Sequence, residues 1–133
     1  MNRAMQEKWP WIEGTHSMRS QLLDSLSDAD LAFSPGGENM TLGALLREDG
    51  EVENSYLQSL KTFKEDWSYH NTEATLAAFS DEDLSKTIDP RGFTVELQLD
   101  VYLQAQLIFL GKASVYFKAM NRALSQLFQD YIG

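Results

Sequence analysis

The segment LREDGEVENSY, residues 46 to 56, sets four carboxylates, Glu48, Asp49, Glu51 and Glu53, within six positions. Carboxylates so close together suit three kinds of chemistry. A pair can serve as acid and base in glycoside hydrolysis, a group can hold magnesium or calcium, or the acids can wet a helical face. The spacing matches no calcium loop, and nothing else in the chain suggests the long cleft that a glycosidase needs. Helical periodicity sharpens the choice. Leu45, Val52, Tyr56, Leu60 and Phe63 share one face, Asp49 and Glu53 fall within it, Glu48 lies at its edge and Glu51 points away. A carboxylate turned toward a core needs a cation, hydrogen bonds or a water-filled pocket.

The elements that carry these acids follow from spacing and caps. Pro10 suits the first turn of a helix, and Trp11, Thr15, Met18, Leu22 and Leu26 continue at helical intervals, which predicts helix one over about 10–26. SPGGEN, residues 34 to 39, is a loop, and Thr41 can cap a second helix running toward Phe63 and Trp67. The more polar segment that follows predicts a short helix near 72–78, a turn near 81–86 and a loop at DPRG. From Thr94 to Met120 the chain is apolar almost all round, as expected of a buried central helix. Val95, Leu97, Leu99 and Val101 alternate as a strand would, but the run after them offers no turn residues from which to build a sheet. ALSQLFQDYI predicts a short closing helix. LSDADL (26–31) and FSDEDL (79–84) read as two similar helix caps rather than an internal repeat. The fold expected is all-α, a single domain over 1–133: an antiparallel four-helix bundle with a short extra C-terminal helix.

Composition removes several function classes. The chain has 133 residues and a formal charge of −9, so phosphate backbones and anionic lipid repel it; nucleic acid is not an expected partner. The longest uncharged run in the apolar half, residues 101 to 111, is too short to span a bilayer, so no membrane association is expected. The charged, proline-containing N-terminus does not read as a secretory signal. With no cysteine there is no disulfide framework, thiolate zinc site or cysteine nucleophile, which suits a cytoplasmic protein. His16 and His70 stand without ligand-spaced partners and read as surface or hydrogen-bonded residues. The aromatics Trp9, Trp11, Trp67, Tyr102, Phe109, Tyr116 and Phe117 read as core.

LSDADLAFSPGGENMTLGALL (26–46), GEVE (50–53) and LGKASVYFKAMNR (110–122) together resemble the DinB/YfiT-like family of helical bundles. The resemblance implies a bundle in which many members hold zinc or nickel with three histidines, one on helix two and two on helix four. Several of those relatives are thiol-dependent S-transferases or isomerases. Two imidazoles four residues apart and a third from a facing helix leave an open position that polarises a thiol or water. Carried over, the three positions fall on Glu48, Ala105 and Phe109, and the usual glycine-glutamine that follows is Gly111 and Lys112. Ala and Phe cannot ligate a metal. The resemblance thus implies a vestigial pocket lined by Glu48, Asp49, Glu53, Tyr102, Ala105, Phe109, Lys112 and Tyr116, with no catalytic residue, no metal and no cofactor. Lys112, the one formal charge on the helix-four face, is expected to pair with Glu48, Asp49 or Glu53. The function expected is that of a metal-independent, non-catalytic binding or stress-response protein taking a small apolar or thiol ligand. The alternatives are a thiol-dependent S-transferase or hydrolase with a displaced carboxylate metal site, and a structural homodimer.

Overall fold

Asn2 opens the first helix by accepting a hydrogen bond from the Met5 N–H at 2.9 Å through its side-chain oxygen, which starts α1 (Arg3–Glu7). The computed structural model describes residues 2–63 and 72–132, so Trp67 and His70 lie outside the described residues. After α1 come α2 (Trp9–Asp24), α3 (Asp28–Leu31), α4 (Leu42–Thr62), α5 (Thr72–Ala77), a 3-10 turn (Asp83–Ser85), β1 (Thr87–Ile88), β2 (Phe93–Thr94), α6 (Val95–Ala119) and α7 (Gln126–Ile132). No helix of the described residues is long and apolar enough to cross a membrane.

The long helices begin and end where local chemistry requires. Thr41 Oγ1 accepts from the Ala44 N–H at 3.2 Å and caps α4; Thr94 Oγ1 accepts from the Leu97 N–H at 3.1 Å and caps α6. Asn121 ends α6 at φ 55°, and the Arg122 N–H closes back onto the Phe117 carbonyl at 2.8 Å. LSDADL and FSDEDL share one Ser-x-x-Asp hydrogen-bond pattern, which caps α3 in the first and leads into the 3-10 turn in the second. Ser27 donates to Asp30 Oδ2 through its N–H and its hydroxyl at 2.8 and 2.7 Å, and Ser80 donates to Asp83 Oδ2 at the same two distances.

These contacts set an acid response. Hydrogen bonds from the Ser27 N–H and hydroxyl, and then from Arg122, hold the Asp30 carboxyl down to about 2 against an ordinary 3.8. Lys86, then the Ser80 N–H and hydroxyl, hold Asp83 well below the usual carboxylate range. A depressed folded-state pKa contributes stability that is complete above the unfolded value and is lost as pH falls through the folded one. Stability is therefore expected to decline between about pH 4 and pH 2. Carboxyl NMR titration of Arg122→Ala should raise the Asp30 value yet leave it below 3.8, because the Ser27 bonds remain and outweigh the guanidinium. A return to the ordinary value would contradict that ranking.

Three expectations need correction. An all-α chain has no strands, yet on either side of the expected DPRG loop Thr87 pairs with Thr94 and Ile88 with Phe93, antiparallel, around a turn in which Gly92 takes φ +67°. Two-residue strands are too short to show alternation, so their signal was only β-branched residues beside turn residues. Trp11 is 58% exposed, because Ile12 takes the inward register of α2 and Trp11 lies about 100° round the helix from it. Nor is α6 buried all round: Ile108 is 61% and Val115 56% exposed. Its buried stripe runs Val95, Leu99, Tyr102, Gln106, Phe109, Ala113 and Tyr116, and neighbours cover that side alone.

The chain packs as two units, Met1–Glu13 with Gly50–Gln104, and Gly14–Asp49 with Ala105–Gly133. In the first, Ile12, Leu60, Leu76, Leu84, Ile88, Leu99 and Tyr102 form the core, and Asn2 donates to the Leu76 carbonyl at 2.9 Å. In the second, Met18, Leu22, Leu42, Leu45, Phe109, Leu110, Tyr116, Phe117 and Phe128 do so.

Candidate functional site

Asp49 follows Leu42 and Leu45 on the buried stripe of α4, one and two turns on, and only 5% of its surface is exposed. Within the second unit it meets two side chains from other helices. Arg19 of α2 donates from Nη1 to Asp49 Oδ2 at 3.0 Å, and Gln106 of α6 donates from Nε2 to Asp49 Oδ1 at 3.2 Å. Arg19 Nη1 also approaches Gln106 Oε1 at 3.4 Å, so cation, carboxylate and amide form a closed triangle. Gln106 is 1% exposed, which makes it a wholly buried amide with both ends engaged. Such a network can position three helices, but it is ill suited to proton transfer. A guanidinium stays protonated and has no proton to give up.

In the first unit, Tyr102 is fully buried, and its hydroxyl donates to Glu53 Oε1 at 3.1 Å. The Tyr56 ring packs tilted against Tyr102 at 5.6 Å between centroids. Nearby on the same two helices, Gln98 Nε2 donates to Ser59 Oγ at 3.0 Å. Here the acid serves as acceptor for a buried phenol.

The other residues named from the sequence take the following places. Glu48 is exposed, and Ala105 is half-buried. Phe109 belongs to the core of the second unit, as does Tyr116, whose hydroxyl donates to the Met40 carbonyl at 2.8 Å and whose ring meets Phe33 edge-on. The expected Lys112 bridge is not made. Lys112 is exposed and takes part in no ion pair among the described residues. It lies about 80° round α6 from Tyr102, on the flank of the buried stripe rather than within it. Arg19 answers Asp49 in its place.

Among the described residues no group of three or more histidine or carboxylate side chains is placed to hold a metal ion. Glu48, Ala105 and Phe109, the positions onto which the resemblance carries three histidines, do not fit such an ion, since two of them have no side-chain donor atom. No protein-family model, no curated protein and no solved structure matches this chain. The site is read from its own geometry.

Arg19 and Gln106 were not singled out from the sequence, although both carry a legible sign. Arg19 stands four residues after Thr15 and three before Leu22, and Gln106 four after Tyr102 and three before Phe109. Each is a polar residue in register with a buried stripe.

Proposed function

We propose that the chain is a DinB/YfiT-like antiparallel four-helix bundle with a short extra C-terminal helix, a metal-independent and non-catalytic binding protein of the cytoplasm. One observation carries this reading: the buried helix-two carboxylate, Asp49, is already neutralised by Arg19 and held by Gln106. A buried acid so paired has no electrostatic demand for a metal cation. The mostly helical chain, with the three long helices α2, α4 and α6, supports the bundle that the resemblance implies. Metal analysis of the purified protein tests it. Substoichiometric zinc and nickel are expected, and one equivalent of either would overturn the reading and restore the transferase or hydrolase. The exposed Leu107, Ile108 and Val115 favour a second role, a homodimer paired through α6, which the mass in solution at rising concentration decides.

A further inference from the structure

The second unit holds a cavity of about 180 Å³ where the last turns of α2, the end of α6, the α6–α7 connection and α7 meet. Its floor is apolar: Leu22, Phe117 and Phe128 are all buried. Its polar groups are Gln21, Ser25 and Ser125, and no charged side chain lines it. These residues are separate from the Arg19–Asp49–Gln106 triangle and from every position of the family's metal site.

Size and polarity limit the occupant. An apolar cavity of roughly 150 Å³ accommodates a benzene molecule, so this one takes a single six-membered ring with one or two small substituents. The cavity is open at the side of the exposed Gln21, Ser25 and Ala123 and offers an ion no counter-charge, which favours a neutral ligand seated on its apolar floor. The two serines are arranged unlike each other. Ser25 donates its proton to the Leu22 carbonyl at 2.7 Å and presents lone pairs, whereas Ser125 Oγ accepts from the Phe128 N–H at 3.3 Å and keeps its own proton to donate. One ligand hydroxyl can donate to the first and accept from the second.

We infer that this cavity is a binding site for a neutral, single-ring aromatic alcohol of the phenol class. The inference rests on the small-ligand reading above and names its site and chemistry. Phenol at millimolar concentration, titrated into the labelled full chain, should move the amide resonances of Leu22, Phe117, Leu124 and Phe128 in a saturable way. Benzoate, of similar shape but charged, should leave them in place, and benzene, lacking the hydroxyl, should bind about tenfold more weakly. Ala123→Trp, which fills the lining from a surface position, should abolish the response while the circular dichroism is unchanged. Should that variant fail to fold, the phenol, benzene and benzoate series on the natural chain still decides. Equal binding of benzoate, or no response to phenol, would overturn the inference. Saturable phenol shifts confined to α4 residues near Asp49 would also overturn this site, yet would leave the small-ligand reading standing. A thermal-shift series with low-molecular-weight thiols and other apolar compounds tests that broader reading separately.

Discussion

Arg19→Met should lower stability by about 3 kcal/mol, the loss expected when one partner of a buried ion pair is removed and the other is left in the core. The argument is one of desolvation. Asp49 keeps only 3% of its side-chain surface in contact with solvent, whereas Arg19 keeps 21%. Without the guanidinium, a charged carboxylate stays buried on the α4 stripe that carries Leu42 and Leu45, with its charge no longer compensated by Arg19 while Gln106 still donates to it. The sign reverses when the network is removed whole. Arg19→Met/Asp49→Leu/Gln106→Leu should recover most of the lost stability, because matched apolar side chains can replace a buried polar network at little cost. Urea unfolding of the single and triple variants checks both outcomes. A single variant within about 0.5 kcal/mol of the natural protein would mean that water already solvates Asp49.

The second large effect falls at the C-terminus. Phe128 is the one buried residue of α7, a helix of seven residues that is too short to persist by itself. Phe128→Ala should cost about 3–4 kcal/mol through lost burial and the space left behind. Leu124, Leu127 and Ile132 are only partly buried and cannot hold the helix without it. Hydrogen exchange would then show α7 amides losing protection well before those of α4. Retained protection in α7 would shift the anchoring role to those partly buried neighbours. The same substitution enlarges the cavity, so a bulkier ring than phenol should enter the variant if it remains folded.

Much of the secondary structure is legible in local chemistry. Thr41 and Thr94 cap α4 and α6, the Ser-x-x-Asp hydrogen-bond pattern recurs in both echoing segments, and the apolar run after DPRG becomes α6 (Val95–Ala119). Each of these depends on residues within one or two turns of one another, where helix geometry alone decides what can touch. The hairpin escaped because its strands are two residues long, and α1 because its cap is tied by Asn2 to the Leu76 carbonyl, a residue far off in the chain.

For the candidate site, periodicity already separated Asp49 and Glu53, within the α4 stripe, from Glu51, which points away. Its other half depended on the angle at which α6 meets its neighbours. The face expected of that helix holds Tyr102, Phe109 and Tyr116, all buried in the folded chain, but it also took in the flanking Ala105 and Lys112 and left out Gln106. Neighbouring residues on a helix are about 100° apart, enough to separate the half-buried Ala105 from the buried amide of Gln106. By itself, then, the sequence determined where the long helices lie and that helix two turns acid inward. Which cation meets that acid was decided only by tertiary packing. Arg19 and Asp49 are far apart along the chain and become partners when α2, α4 and α6 bring their buried stripes together, an outcome that propensity and spacing within one helix do not contain.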